Sequence, residues 1–380
     1  MAYVESIDNG DFYSPMEQYW IWLSSVEGVG ARRFYQLLAL YEDARGVWDA
    51  MGGVLTPPDI RQVLGPTAFE KLRTARDERY FYRLFDRLER DGIRAVTRLS
   101  ERYPAALTRV YDPPPTLYVR GDCSLNGERM IAVVGARQCT RDGQRAAREF
   151  SKGLAENGVV VVSGMARGID SFAHRGALDG HGATVAVLGC GVDVVYPPEN
   201  DRLMAEILDS GGAIVSEFTP GTPPVPGNFP ARNRIISGLS RGTLIVEGAR
   251  ASGAMITVNL ALEQGRDVFA VPGSIYSPLS SAPNQLILDG ATPVLSPWDI
   301  LEHYRWGQRP GQGAARPSPR PDLDPEEEAL VAPLRNEALS FEELAQITGL
   351  SAAKLNSHLT MLELRGIIEK APGGLYRAYG

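Results

Sequence analysis

The chain is poor in the residues that carry covalent and metal chemistry. Its 380 residues include 3 cysteines and 4 histidines. Cys123, Cys139 and Cys190 have neither Cys-x-x-Cys nor metal-ligand spacing. So sparse and odd a set excludes a disulfide scaffold and fits a reducing cytoplasm, where the protein is expected. With no cluster of metal ligands in the sequence, no metal is expected. No run approaches the ~20 apolar residues of a membrane span. The first residues, Met1 to about Pro15, are polar and acidic without an apolar signal region, so no membrane partner is expected. The P-loop lysine motif and G-x-G-x-x-G are both missing. Gly189-Cys190-Gly191 follows an apolar run but lacks the third glycine. ATP and dinucleotide sites therefore lack support, and no cofactor is expected. Positive charge is also scarce overall: 39 Lys and Arg against 46 Asp and Glu give a formal charge of −7. Bulk basicity does not advertise nucleic acid, and only local arginine clusters can make that case.

What is present is apolar material, 44% of the residues, laid out as two or three domains. Apolar side chains recur at helical spacing in Phe34, Leu37, Leu38 and Tyr41, and again in Tyr80, Leu84 and Leu88, so residues 1–100 are expected to form a helical domain. Between its first two helices, Val26-Glu27-Gly28-Val29-Gly30 resembles the hairpin of a helix-hairpin-helix unit, whose glycines bring backbone amides near a DNA phosphate. A plain structural turn between helices gives the same pattern and is the first reading of it. Beyond the connector Asp112-Pro113-Pro114-Pro115, apolar runs at 130–134, 159–163, 184–188, 213–216, 244–247 and 268–271 alternate with helical segments such as 141–157 and 200–209. Near-continuous apolar strands joined by helices predict a doubly wound, parallel α/β sheet within residues 101–306. Such sheets bind ligands at the carboxyl ends of their strands. Residues 307–323, rich in Pro and Gly, read as a flexible linker. In residues 324–380, Ser340 can cap a helix over 341–346, a turn at Gly349 leads to a helix over 352–364, and two short runs flank Pro372-Gly373-Gly374. This is a winged-helix pattern.

The suggestive residues fall at the predicted strand ends. Ser163-Gly164-Met165-Ala166-Arg167-Gly168 makes a tight strand-to-helix turn, with the helix expected to start near Asp170 or Ser171, either of which can cap it. A turn of this kind aims backbone N–H groups and a helix N-terminus at one spot, which suits an anion. Gly135-Ala136-Arg137 ends the preceding strand. Phe229-Pro230-Ala231-Arg232-Asn233-Arg234 stands just before a helix expected over 235–239. Arginine forks match phosphate oxygens, and the asparagine can cap or bind a sugar or base. A structural arginine pair bonded to carbonyls is the other reading. A fourth turn runs from Glu247 to Ser252-Gly253, with Ser252 and Thr257 offering hydroxyls and Glu247 read first as a carboxylate orienting nearby arginines and otherwise as an acid or base. Together these loops make a phosphate cradle from Gly135, Arg137, Ser163, Gly164, Arg167, Gly168, Phe229, Arg232, Asn233, Arg234, Ser252 and Gly253. Catalytic groups are thin. His174 has no Cys or Ser partner of recognisable spacing and is read as a structural or ligand-contact residue, so no catalytic residue is assigned.

In this order the motifs resemble the DprA (Smf) family of DNA-processing proteins. The resemblance runs from Tyr103-Pro104 and Leu117-Tyr118-Val119-Arg120-Gly121 through the turns above, Tyr196-Pro197 and Ser216-Glu217, to Val271-Pro272-Gly273, Leu286-Ile287 and Gly290-Ala291. One departure is Ser281-Ala282-Pro283-Asn284, where the family usually has a glycine before the Leu-Ile pair; it bears on the local turn. The resemblance implies an extended Rossmann-like core, an N-terminal helical domain of the SAM or helix-hairpin-helix kind, and a C-terminal winged helix. It implies a non-enzymatic protein that binds and protects incoming single-stranded DNA and loads RecA recombinase onto it during natural transformation and recombination. Its implied partners are single-stranded DNA, RecA, single-strand-binding protein and a second copy of itself. The cradle's phosphates would then belong to single-stranded DNA, with Phe229 as a stacking aromatic. The apolar run Leu286-Ile287-Leu288, within residues 284–293, is expected to leave a side chain exposed, which places the dimer contact on Leu286 and Ile287; the other reading is that Leu286 and Ile287 pack the last helix onto the sheet.

Two other classes fit parts of the chain. Arg241-Gly242-Thr243-Leu244-Ile245-Val246-Glu247 resembles part of the motif of lysine-decarboxylase-like nucleotide phosphoribohydrolases but lacks its Pro-Gly-Gly start. A nucleotide-binding hydrolase is therefore the alternative. A nucleotide-sensing transcription factor would use the winged helix. Residues 324–380, however, carry nine acidic and five basic side chains, a balance of −4, and the recognition helix offers only Lys354, His358 and Arg365. A structural or partner-binding role suits that unit better.

Overall fold

The computed structural model describes residues 13–53, 57–307, 323–334, 338–365, 367–371 and 374–378. They fall into two compact units divided between Gly307 and Gln308. Residues 308–322 of the expected linker lie outside the described residues.

The first unit opens with α1 (Pro15–Ser25), α2 (Ala31–Tyr41), α3 (Ala44–Ala50), α4 (Pro58–Ala75) and α5 (Glu78–Arg90). Ser14 and Glu17 form a reciprocal capping box that starts α1, which satisfies two of the otherwise free first-turn donors. Phe34 and Leu37 on α2, and Phe81, Leu84 and Leu88 on α5, are buried, as their helical spacing requires. The turn between α1 and α2 is present, and Gly28 in it has φ +93° and packs so tightly that an added Cβ would lie 2.8 Å from the Ala68 Cβ. A side chain fits there neither by torsion nor by space.

The α/β alternation follows as β1 (Arg94–Thr97), β2 (Thr116–Gly121), β3 (Met130–Val134), α6 (Arg141–Glu156), β4 (Val160–Ser163), α7 (Ile169–Asp179), β5 (Thr184–Val187), α8 (Asp201–Asp209), β6 (Ala213–Ser216), α9 (Asn228–Leu239), β7 (Gly242–Ile245), α10 (Gly253–Glu263), β8 (Asp267–Ala270), α11 (Ser281–Leu288), β9 (Thr292–Pro293) and α12 (Pro297–His303). The nine strands form one sheet in the order β1-β2-β6-β5-β4-β3-β7-β8-β9. β1 and β2 run antiparallel to their neighbours and the rest are parallel. From β3 the chain winds outward through β4, β5 and β6, then returns to place β7 on the other side of β3. The switch point is therefore between β3 and β7.

Successive strand residues point to opposite faces. Ile131, Val133 and Val161 pack with α6, α7 and α12, while Ala132, Val134 and Val162 pack with α9, α10 and α11. On the first of these faces, toward the β2 edge, Ala186, Ile214 and Tyr118 meet the N-terminal helices and α8. The Trp20 indole N–H donates to the Pro115 carbonyl at 2.7 Å, and Arg87 pairs with Asp193 at 2.6 Å. The helices before residue 91 thus share a core with the sheet, and β1 carries a strand of that sheet from the N-terminal hundred residues.

In the second unit, α13 (Pro325–Leu334), α14 (Phe341–Thr348) and α15 (Ala352–Leu364) precede a hairpin of β10 (Ile368–Ala371) and β11 (Leu375–Ala378). Ser340 and Glu343 cap α14 reciprocally, and Gly349 ends it in the left-handed conformation. Leu330, Leu344, Leu355, Leu359 and Ile368 close its core.

Candidate nucleic-acid interface

The carboxyl ends of β3, β4 and β7 open into a groove of about 840 Å³, at the switch point where open α/β sheets bind ligands. Gly135 and Arg137 after β3, Arg167 after β4, Phe229 and Asn233 on α9, and Ser252 and Gly253 after β7 all line it. Helices α7, α9 and α10 begin beside it, and none has a side-chain hydrogen bond at its N-cap residue, Gly168, Gly227 or Ser252. The positive ends of three helix dipoles therefore stand beside one space, which favours an anion, although the Ile169 amide of α7 donates to the Ala136 carbonyl at 3.2 Å and the Asn228 amide of α9 to the Val225 carbonyl at 3.0 Å. The Ser252 hydroxyl has no hydrogen-bond partner among the described residues.

Arg137 is exposed and its guanidinium lies 5.8 Å from the centre of the Phe229 ring, within cation–π range. Phe229 in turn lies against Tyr196, with ring centroids 5.3 Å apart and planes inclined by 34°. The ring rests on Gly189, where a Cβ would come within 2.8 Å of Phe229 Cδ1. Gly189 thus makes room for an aromatic platform rather than for a dinucleotide. Gly168 has φ +75°, and an added Cβ would meet the Ala136 carbonyl at 2.3 Å. It lets the loops after β3 and β4 touch, so that Arg137 and Arg167 stand on one rim.

The two arginines of the 229–234 motif are not on that rim in the same sense. Helix α9 begins at Asn228, not at 235, so the motif is its first two turns and Asn233 is not a cap. Arg232 is 4% exposed. It donates to the carbonyl of Gly164 at 2.7 Å and to that of Val187, joining the ends of β4 and β5 to α9. Burial lowers its pKa to about 10, and burial raises that of neighbouring Asp170 to about 6 against the pull of the Arg232 charge. Both groups remain ionised at neutral pH. Arg234, expected at a solvent-facing loop, instead forks onto Glu217 with two contacts of 2.6 Å. Those side chains are 13% and 12% exposed. Spacing along one helix explains the difference: residues two apart point to different sides.

Other expected roles change with the geometry. Ser163 is buried and donates to the Val133 carbonyl at 2.6 Å. Arg167 is exposed and paired with Glu199, a solvent-screened surface pair that a phosphate can displace. Gly164 lies at the end of β4 against Arg232 and Asp170. Asp170 and Ser171 lie inside α7 rather than capping it. Glu247 pairs with no arginine among the described residues; it accepts from the Thr140 amide at 2.9 Å and the Thr140 hydroxyl at 2.5 Å, holding the start of α6. His174 is fully buried, with Nδ1 2.8 Å from the Thr184 hydroxyl. Burial pushes its pKa down to about 3, so it is neutral and out of reach of a substrate. Tyr196 was legible only as part of a motif. Its place beneath Phe229 depends on the loop between β5 and α8, which no spacing rule fixes.

The sequence matches the family model described as DNA recombination-mediator protein A over residues 94–305, and the DprA winged helix domain over residues 314–374. The chain belongs to the DprA family. It is 41% identical to the protein Smf of Escherichia coli K12 over 295 residues, covering 76% of this chain and 79% of that one. The X-ray structure of DprA from Streptococcus pneumoniae superposes with a TM-score of 0.63 and 34% identity, over 77% of this chain and 98% of that one. A DprA structure from Helicobacter pylori, described in terms of a unique single-stranded DNA binding mode, superposes with a TM-score of 0.51 and 30% identity over 56% and 95% of the two chains. The extended parallel sheet and the winged helix are the architecture expected of a DprA protein. Among the described residues no helix is long and apolar enough to cross a membrane.

In the winged helix of this DprA chain, the basic side chains on α15 and at its C-cap are already engaged. Lys354 pairs with Glu326 at 2.7 Å, His358 stands 3.3 Å from the same carboxylate, and Arg365 pairs with Glu327 at 2.8 Å. Near the β8–β9 edge, Ser281-Ala282-Pro283-Asn284, where the family usually has a glycine, opens helix α11, and the Leu-Ile pair lies in its last turn. Leu286 is buried at 6% exposure and Ile287 is half-buried, whereas Leu288 is 81% exposed.

Proposed function

We propose that this DprA-family chain grips single-stranded DNA in the groove at the ends of β3, β4 and β7, protects incoming strands, and loads RecA recombinase onto them during natural transformation and recombination. It acts in the cytoplasm, without catalysis and without a cofactor, and single-strand-binding protein is a further partner. The observation that carries the reading is the pairing of Arg137 with the Phe229–Tyr196 platform beside three uncapped helix N-termini. Exposed cations, helix N-termini and paired aromatics in one groove are what an extended strand needs, and a base offers its face whatever its sequence. The single-stranded DNA binding ascribed to the Helicobacter pylori relative supports it. A hydrolase reading is weaker, because Glu247 holds Thr140 and His174 is buried and neutral.

The protein works as a homodimer through the β8–β9 side of the core. Leu286 supports the contact from within, and Ile287 and Leu288 supply its surface together with Ile275, Tyr276 and Leu295, which are 83%, 90% and 81% exposed. Large apolar side chains at that exposure mark association surfaces. Gel-shift titration of single strands and blunt duplex over a salt range tests the binding. Single strands should bind more tightly, with a log–log salt slope of about −0.7 per phosphate contact. Equal affinity for duplex, or affinity independent of salt, refutes it.

A further inference from the structure

A second groove, of about 600 Å³, opens beyond α9, between the α1–α2 turn, the segment before β2, and α10. Arg32, Arg33 and Arg109 line it and are exposed. Arg33 donates to the Gly28 carbonyl at 2.9 Å, and none of the three has an ion-pair partner among the described residues. Arg234 also lines the groove, but its charge is matched by Glu217. Asp112 and Glu263 stand on the walls as well, so the side chains sum to a small positive excess. The first turn of α2 adds to it. Its N-cap residue, Gly30, makes no capping hydrogen bond, which leaves the helix's leading amides open to an outside acceptor. Neither torsion nor space demands a glycine at this position: φ is −74°, and an added Cβ would meet nothing within 4 Å. Tyr111, two residues beyond Arg109 on the same wall, is 82% exposed. Cations on two separate elements, open amides and a free aromatic ring repeat the composition of the first groove.

The two grooves share one helix. Asn228 and Ala231 of α9 line the second, while Phe229, Pro230 and Asn233 line the first. A chain of phosphates can pass from one to the other over the uncapped start of α9. We propose that the second groove holds a further stretch of the same single-stranded DNA, with phosphates on Arg32 and Arg109 and a base against Tyr111. This rests on the strand-binding reading of the first groove.

The test is fluorescence anisotropy with labelled oligothymidylates of about 8 and about 40 nucleotides, lengths on either side of a single binding site. The full chain is compared with the double variant Arg32→Ser/Arg109→Ser and with Arg137→Ala. The double variant should bind the short strand as wild type does and lose about tenfold or more on the long one. Its salt slope on the long strand should be shallower by about 1.4, two contacts at ~0.7 each. Arg137→Ala should weaken both lengths. A double variant with wild-type affinity and slope on long strands overturns the second groove, as does one that loses only duplex binding. If the double variant weakens both lengths and Arg137→Ala neither, the first groove is misassigned instead, and the claim of a second stretch falls with it. Photo-crosslinking of wild type to 5-iodouridine strands is independent of any variant's folding. Tyr111 should crosslink to the long strand, and a long strand that crosslinks only near Phe229 overturns the proposal.

Discussion

Replacing Arg232 by methionine separates a brace from a DNA ligand. The guanidinium is 4% exposed and satisfies the carbonyls of Gly164 and Val187. It also balances the Asp170 carboxylate, itself only 8% exposed. Methionine keeps much of the volume and none of the donors. Two buried carbonyls lose their partner, at about 1–3 kcal/mol each, and Asp170 loses the charge that opposes its burial. Together these cost about 3–5 kcal/mol, the range for breaking a buried charge network from one side. At about 2–4 °C per kcal/mol for a domain of this order, the melting temperature should fall by roughly 6–20 °C. Adding Asp170→Asn should recover part of the loss, because the uncompensated charge goes with it. Calorimetry on the three proteins checks the stability, and a single-strand titration well below the melting point checks the binding. The folded variant should lose less affinity than Arg137→Ala. A variant that melts with wild type yet loses single-strand affinity would show that Arg232 reaches the phosphates directly.

Arg137→Ala should leave the melting temperature within about 1 °C of wild type, as expected for an exposed side chain. It should weaken single-strand binding about ten- to a hundredfold, the equivalent of a charge-assisted contact of about 1.5–3 kcal/mol; unchanged affinity in anisotropy would move the cradle elsewhere. His174→Asn should gain on wild type as pH falls from 7 to 5 in thermal melts. A histidine held neutral by burial, with its pKa pushed down to about 3, binds its proton only in the unfolded chain between that value and about 6.5, so its contribution is lost as pH falls through this window. An unchanged difference between the two proteins at pH 7 and pH 5 would mean that the folded histidine titrates normally. Leu288→Glu should give a folded monomer by light scattering, since a leucine 81% exposed has little intramolecular packing to lose; a folded dimer would place the contact on another face.

The repeating part of this fold was legible because its signal is periodic. The run Met130–Val134 is apolar throughout and Ala213–Ser216 is apolar up to its last residue, and they became β3 and β6 with the expected ends. β1 (Arg94-Ala95-Val96-Thr97) and the two-residue β9 lie at the sheet edges and hold no unbroken apolar run, so they carry no such signal. The start of α9 was misplaced because Pro230 reads as a boundary, whereas proline is well tolerated in the first turn, where its missing N–H has no partner to lose. That error of seven residues in α9 decided the roles of Arg232 and Arg234, since it turned a loop that could aim both at solvent into a helix that cannot.

The glycines teach the same lesson from the other side. In the sequence, Gly135, Gly164 and Gly168 suggest a backbone bared to a ligand. In the structure each is crowded by protein: a Cβ at Gly135 would strike Ile169, at Gly164 it would meet Arg232 and Asp170, and at Gly168 the Ala136 carbonyl. They are small so that three strand-end loops can pack against one another. The consequence for binding is indirect but physical. Loops locked together in this way hold Arg137, Phe229 and the starts of α7 and α10 in fixed relation, so little ordering remains to be done when a strand arrives, and pre-ordered groups bind with less loss of entropy. Gly253 and Gly30, where a Cβ would meet nothing within 4 Å, stand instead in open space. One lies in each groove, at the head of α10 and of α2. The residues that bare the backbone to a strand are thus set apart from those that build the cradle by the space around them, which neither spacing nor motif reveals.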